Sequence, residues 1–204
     1  MPLKSERLVV FPSLFVSVKD GATDPTAGAA PPATAIETVA AAAASAPPPV
    51  NFPGAAEAKD PTGRYAVVAV APDGYGGGIH ELVLKTLPTG PTRPLLAFSR
   101  AATVYWSPDG NALAVTDRKS ADTSTVLLYF SDRAGEIDLD GALQKALGPL
   151  PERTGNDRVF LDVVRWLDAK RLRLRLHGYG ARDREGFSEL FDYELGGRFK
   201  RAIF

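Results

Sequence analysis

Two glycine-rich segments of the chain carry the side chains best suited to binding. The first is Asp73-Gly74-Tyr75-Gly76-Gly77-Gly78, and the second is His177-Gly178-Tyr179-Gly180. Tyrosine and arginine are enriched at binding hot spots because they combine a large contact area with directional polar groups. We therefore predict a binding site made of Tyr75, His177, Tyr179, Arg182 and Arg184. The alternative is that the glycines only permit positive φ in two hairpin loops, with the tyrosines covering strand ends.

Three arginines near the second segment alternate strictly with leucines, from Arg171 to Leu176. This alternation predicts a strand with one apolar face and one basic face. The basic face could bind a phosphate, an acidic glycan or an acidic partner. We favour pairing with Glu189, Asp192 and Glu194 on the next strand, since such cross-strand pairs are common in sheets. No aromatic residue interleaves with the arginines, which argues against nucleic-acid binding.

Enzymatic signatures are few. The chain has two histidines, His80 and His177, no cysteine and no Gly-x-Ser-x-Gly motif. Gly74 to Gly78 is not a dinucleotide fingerprint because no helix follows it. The segment beginning at Glu136 resembles a calcium loop, yet Leu147 occupies the position that requires a bidentate glutamate. We predict no catalytic residue, no metal site and no cofactor; a hydrolase or lyase centred on His177 is the alternative.

Composition divides the 204 residues into three parts. Residues 1–20 are either a weak signal segment or an extra strand, because Lys4 and Arg7 precede an apolar run that Pro12 interrupts. Residues 21–59 are rich in Ala and Pro and predict a disordered linker. Residues 60–204 hold both tryptophans and predict one β-domain.

The charge balance argues against a nucleic-acid partner, and the hydropathy does not decide the cellular location. Lys and Arg number 24, as do Asp and Glu, so no net field attracts nucleic acid. No stretch approaches the length of a transmembrane helix, and we expect a soluble protein. A periplasmic, secreted or cytoplasmic location is equally compatible with this pattern.

The β-domain contains three copies of one pattern. Pro61 to Val68 aligns with Pro108 to Val115, proline on proline and glycine on glycine, and Trp106 corresponds to Trp166. Each copy predicts a turn followed by short antiparallel strands. We expect the two tryptophans to occupy equivalent positions. We also expect the first copy to lack its innermost strand.

The outer strands of the copies differ. Pro94 to Phe98 and Arg198 to Phe204 predict outer strands in the first and third copies. In the middle copy, residues 136–148 predict a short helix instead, with Asp140 as N-cap and Gly148 as its end. Its expected apolar face is Ala142, Leu143, Ala146 and Leu147.

The segment Tyr105-Trp106-Ser107-Pro108-Asp109-Gly110, continuing to Val115, resembles the repeat of TolB-type and related WD-repeat-like β-propellers. The resemblance implies an all-β fold of antiparallel meanders like three propeller blades, with one short helix near 140–147. Closed propellers have about four to eight blades, so an open or incomplete propeller, a twisted sandwich or barrel, or a homodimer completing one ring remain open.

Propellers serve many functions, so the resemblance implies architecture more than activity. We predict a non-enzymatic interaction module that presents a rim of loops to a protein or glycan partner.

Overall fold

A computed structural model describes residues 45–71, 78–148, 158–180 and 185–202. The fold is all-β, as predicted, with three antiparallel sheets and one short helix. In chain order the elements are β1 Val50–Phe52, β2 Ala58–Lys59, β3 Tyr65–Val70, β4 His80–Thr86, β5 Thr92–Phe98, β6 Ala101–Trp106, β7 Ala112–Arg118, β8 Thr125–Phe130, β9 Glu136–Asp138, α1 Leu139–Leu147, β10 Arg158–Trp166, β11 Arg171–Tyr179, β12 Phe187–Glu194 and β13 Arg198–Arg201.

The three sheets follow the three sequence copies. The first sheet has the order β2-β3-β4-β5, the middle sheet β1-β6-β7-β8-β9 and the third sheet β10-β11-β12-β13. Within the part of the chain described above, none of them closes on itself. This arrangement is compatible with blade-like β structure.

Two apolar cores lie on the two faces of the middle sheet. Leu113 and Val115 of β7 pack toward the first sheet, whereas Ala112 and Ala114 pack toward the third sheet and α1. Successive side chains of a strand point to opposite faces, and β7 is therefore apolar at every one of these positions. The middle sheet joins the other two into one unit.

The two tryptophans occupy equivalent positions, as predicted. Each ends the first strand of its copy, and each is almost fully buried. The indole N–H of Trp106 donates to the carbonyl of Ala58 at 3.0 Å, and that of Trp166 donates to the carbonyl of Tyr105 at 2.9 Å. Ala58 belongs to β2, the edge strand of the first sheet, and Tyr105 belongs to β6, which is next to the edge strand of the middle sheet. Each indole therefore links its own sheet to the preceding one.

Tight turns follow the tryptophan positions and cluster at one end of the domain, which we call the turn end. Gly63 and Gly110 both have positive φ, near 70°. The Asp109 carboxylate accepts hydrogen bonds from the Asn111 amide and the Ser107 hydroxyl. The equivalent turn of the first sheet is held by Asp60, which accepts the amide of Tyr65.

The middle copy differs from the prediction in two respects. It does have an outer strand, β9, which pairs with β8. The helix follows it, and its N-cap is Asp138 rather than Asp140, because the Asp138 carboxylate accepts the amides of Asp140 and Gly141. Gly148 ends the helix, as predicted.

The apolar face of α1 is rotated relative to the prediction. Leu139 and Leu143 are buried, Ala142 and Leu147 are half-buried, and Ala146 is exposed. The difference arises because the helix begins at Leu139, whose spacing of four from Leu143 places both on the core side.

The first copy does not lack its innermost strand. Ala58 and Lys59 form β2, which pairs with β3, and β1 pairs with β6. Both short strands lie within the range 21–59, so β-structure begins before residue 60. Phe52 explains this earlier start, since its side chain is fully buried in the core between the first and middle sheets. Residues 1–44 lie outside the described residues.

The arginine strand is β11, and its alternation is confirmed. Leu172, Leu174 and Leu176 are buried. Of the expected ion pairs, Arg173 with Asp192 forms, with two hydrogen bonds of 2.7 and 3.0 Å. The other two arginines bind elsewhere on the surface: Arg171 pairs with Asp168, and Arg175 donates to the Ser188 hydroxyl.

Candidate functional site

The candidate site lies where β10 begins and β11 ends. The register pairs Arg158 with Tyr179, Phe160 with His177, and Asp162 with Arg175. Because alternate residues of a strand share a face, the side chains of Arg158, Phe160, Asp162, His177 and Tyr179 lie on one side of the sheet. We call these five residues the β10–β11 surface. The intervening Leu161 and Leu176 face the core and hold both strands in place.

The aromatic rings of this surface form a ladder. Phe160 stacks on His177 with ring centroids 5.2 Å apart, and on Tyr179 with centroids 6.1 Å apart. The Arg158 guanidinium lies 5.3 Å from the Tyr179 ring centre and donates to its hydroxyl at 3.2 Å. Tyr179 is nevertheless 43% exposed. The ladder therefore presents a preorganised aromatic face to solvent.

Asp162 anchors the other end of the ladder. One carboxylate oxygen lies 2.8 Å from Nε2 of His177, and the other accepts the Ser124 hydroxyl at 3.1 Å. The Ser124 hydroxyl also lies 2.9 Å from the carbonyl of Leu161. The carboxylate thus sets the orientation of the imidazole ring.

This arrangement is not that of a serine hydrolase. In such enzymes the histidine lies between serine and aspartate, so that it can take the proton of the hydroxyl. Here Asp162 lies between Ser124 and His177, and among the residues described no hydroxyl hydrogen-bonds to His177. Within the described residues the geometry therefore supplies an oriented imidazole and no hydroxyl that it could activate.

The charge of Asp162 reaches neighbouring groups. Burial, and next the Asp162 charge, raises the pKa of Tyr105. Burial also raises the pKa of Asp140 to about 7, although the Val126 amide donates to its carboxylate at 2.8 Å. The Asp140 carboxyl, which lies beside the middle sheet, therefore titrates near neutral pH.

The structure brings together two of the predicted site residues. His177 and Tyr179 are neighbours on one face of β11 and belong to the strand itself, not to a loop. Tyr75, Arg182 and Arg184 lie outside the described residues. Gly178 between the two rings has a steric role: a Cβ there would collide with the Arg158 carbonyl and the Phe187 ring.

Sequence reasoning missed the β10 half of the site. Arg158, Phe160 and Asp162 alternate with Val159 and Leu161, a period-two signal that indicates a strand. The pattern could have shown that these side chains share a face. Their contact with His177 depends on the pairing register, which the pattern does not give.

Three further features of the described segments concern metal ligands, helix length and cavities. Within the four described segments no group of three or more His, Asp or Glu side chains could hold a metal ion. Nor does any helix in those segments have the length and apolar character needed to cross a membrane. A cavity of about 870 Å³ lies at the opposite end of β10, beside Trp166 and Pro47 to Pro49.

Comparison with known proteins adds no family to this description. No protein-family model matches the chain, and no curated protein is significantly similar to it.

Proposed function

We propose that this protein is a non-enzymatic binding module that uses the β10–β11 surface to hold a protein or glycan partner. The observation that carries the proposal is the ladder of Arg158, Tyr179, Phe160 and His177, whose rings are stacked on one another and partly exposed. Rigid aromatic side chains lose little conformational entropy on binding, and they are enriched at hot spots for that reason.

The second candidate is a hydrolase or lyase centred on His177. The hydrogen bond of 2.8 Å to Asp162 favours it, because a carboxylate orients the imidazole in many general bases. The position of Ser124 on the far side of Asp162 argues against it. A binding role requires only the exposed ladder and accounts for more of the geometry.

We further propose that the three sheets are blades of an open propeller-like domain related to the TolB and WD-repeat group. The matching indole hydrogen bonds of Trp106 and Trp166 support this relationship. So do the positive-φ glycines at equivalent turns, Gly63 and Gly110. In such domains function lies in the site and not in the fold, so the β10–β11 surface is the part to test.

The test compares Tyr179→Ala and the double variant His177→Ala/Tyr179→Ala with the matched control Val164→Ala. Val164 is 42% exposed and lies on the same strand as Phe160, away from the ladder. Each chain is probed on a glycan array and in pull-downs from extracts of the native host. Any ligand found is then purified, and its Kd is measured.

We expect the double variant to weaken binding by about tenfold or more, as loss of a hot-spot pair does. Val164→Ala should bind as the wild type does, and all variants should keep the wild-type circular dichroism. Equal binding by the double variant and the wild type would remove the β10–β11 surface as the binding site.

A further inference from the structure

A second feature lies beside the β10–β11 surface, at the end of the domain opposite the turn end. It is a cavity of about 490 Å³. The side chains that matter for its chemistry are Arg100, Arg118, Ser120, Thr123, Ser124 and Phe160. We call it the arginine cavity.

The strand connections bring these residues together. Arg118 is the last residue of β7 and lies opposite Ala101, the first residue of β6. Arg100 immediately precedes Ala101, so the two arginines lie at the same end of the paired strands β6 and β7. Residues 119–124 return the chain to β8, and Ser124 forms a bridge with Phe160 of the third sheet. The cavity is therefore formed by two sheets and the loop between two strands.

The two arginines of the cavity lack an ion-pair partner among the residues described. Neither Arg100 nor Arg118 forms an ion pair or hydrogen bond with any residue that the structure describes, in contrast to Arg173, which binds Asp192. The nearby carboxylates have other partners. Asp122 is paired with Arg158 at 3.0 Å, and Asp162 is bound to His177 and Ser124.

The cavity also holds a spare hydroxyl proton. The Ser120 and Thr123 hydroxyl oxygens lie 3.0 Å apart, and Ser120 accepts the Asp122 amide as well. Each hydroxyl carries a single hydrogen, so the pair uses one and leaves the other available for an acceptor. The cavity therefore offers hydrogen-bond donors from two guanidinium groups and one hydroxyl to a ligand that accepts hydrogen bonds.

We propose that the arginine cavity binds a tetrahedral oxyanion, phosphate or sulfate, carried as a monoester on a larger group that packs against Phe160. Arginine matches such anions because its planar fork donates two parallel hydrogen bonds to two oxygens. The volume is in the range of small-ligand sites and exceeds what the anion alone fills, which leaves room for the group that carries it.

The inference rests on the proposed function in one respect: the group that carries the oxyanion would be the ligand held on the adjoining β10–β11 surface, since Phe160 belongs to both. The donors to the oxyanion are Arg100, Arg118 and the Ser120–Thr123 hydroxyl pair, none of which belongs to the β10–β11 surface. The two proposals can therefore fail separately.

The experiment is calorimetric and NMR titration of the full chain with inorganic phosphate, inorganic sulfate, phenyl phosphate and phenyl sulfate at constant low ionic strength. The variants are Arg100→Gln and Arg118→Gln. The matched control is Arg165→Gln, an exposed arginine of β10 that lines the cavity beside Trp166. All three arginines are exposed, so we expect the variants to keep the wild-type Tm.

We expect saturable binding of both phenyl esters, with affinity about tenfold or more below the wild type in Arg100→Gln and Arg118→Gln. Arg165→Gln should bind as the wild type does. The ester that binds more tightly identifies phosphate or sulfate as the preferred anion. Esters that bind no better than the inorganic ions would overturn the assignment of a carried oxyanion.

Two further outcomes would contradict the cavity as an oxyanion site. One is an absence of saturable binding by the wild type, and the other is an equal loss of affinity in Arg165→Gln, which would indicate attraction to surface charge in general. Tyr179→Ala separates the two proposals: it should retain the oxyanion affinity. A retained partner affinity in that variant would count against the β10–β11 surface and not against the cavity.

Discussion

The two ends of the domain treat their polar groups in opposite ways. At the turn end the carboxylates of Asp60, Asp109 and Asp168 accept backbone amides within their own turns. The indole N–H groups of Trp106 and Trp166 are bonded to carbonyls of the preceding sheet. These polar groups find protein partners, as expected where the role of a region is to hold the sheets together.

The opposite end, where β10 begins and β11 ends, holds the hydrogen-bonded pair of Asp162 and His177 but also polar atoms that have no partner among the residues described. One oxygen of Asp117 and the hydroxyl of Thr125 are buried without a hydrogen bond among the residues described. Arg100 and Arg118 line a cavity there and form no ion pair with any residue that the structure describes. Buried unsatisfied groups cost stability, and their concentration at one end is typical of a functional region.

The same contrast is visible in the pKa values of the carboxyl groups. The Lys170 amide, and next the Arg171 side chain, lower the pKa of Asp168, and hydrogen bonds from Ser107 and Asn111 outweigh burial to lower that of Asp109. Burial instead raises the pKa of Asp117 and Asp140. Hydrogen bonds therefore stabilise the carboxylate charge at the turn end, whereas burial destabilises it at the opposite end.

The largest effect we expect is that of Trp106→Ala at the turn end. The change removes a fully buried indole and leaves the Ala58 carbonyl without its donor. We expect a loss of about 3–5 kcal/mol in the free energy of unfolding, measured by chemical denaturation. Tyr179→Ala at the other end is the comparison, and should lower stability by only about 0.5–1.5 kcal/mol, because it removes an exposed ring stack and a hydrogen bond from Arg158. Similar losses in both variants would contradict the division of roles between the two ends.

A pair of glycine variants separates backbone strain from collision within the turn end. Gly63 and Gly110 share a positive φ near 70°, but a Cβ would meet open space at Gly63 and the Asp60 carboxylate at Gly110. We expect Gly63→Ala to cost about 1 kcal/mol through φ alone, and Gly110→Ala about 2–3 kcal/mol. Thermal unfolding of both variants measures the difference. An equal loss of stability in both variants would show that the Asp60 carboxylate does not restrict the side chain at position 110.

The smallest effect concerns Asp140 and depends on pH. Its folded pKa of about 7 lies above the unfolded value, so the folded state holds the proton more tightly. The stability that Asp140 contributes is then fully present below about pH 4 and is lost as the pH rises through about 7. Asp140→Asn keeps an oxygen acceptor for the Val126 amide and removes this dependence.

We expect Asp140→Asn to be more stable than the wild type by roughly 1–2 kcal/mol at pH 8, after allowing for partial solvent screening, and equal to it near pH 4. Denaturation curves across this pH range measure the difference. A difference that does not vary with pH would show that the Asp140 charge carries no penalty in the folded protein.

Much of the fold follows from local patterns in the sequence. The strands after Pro61 and Pro108 were predictable because a turn that needs glycine at positive φ precedes an alternating apolar run. The equivalence of Trp106 and Trp166 followed from the turn and strand that come directly after each of them, beginning at Ser107 and at Leu167. The two-residue strand β2 was missed because so short a strand has no periodicity of its own.

The candidate site was only half predictable, since His177 and Tyr179 stood out by residue type whereas Phe160 and Asp162 did not. By itself the sequence determined three repeats of short antiparallel strands, because turn residues and strand periodicity depend on neighbours a few positions apart. Only the tertiary structure decided that Asp162 contacts His177 and Ser124, or that Arg100 and Arg118 face one cavity. Such contacts depend on register and on packing between sheets, which join residues far apart in the chain.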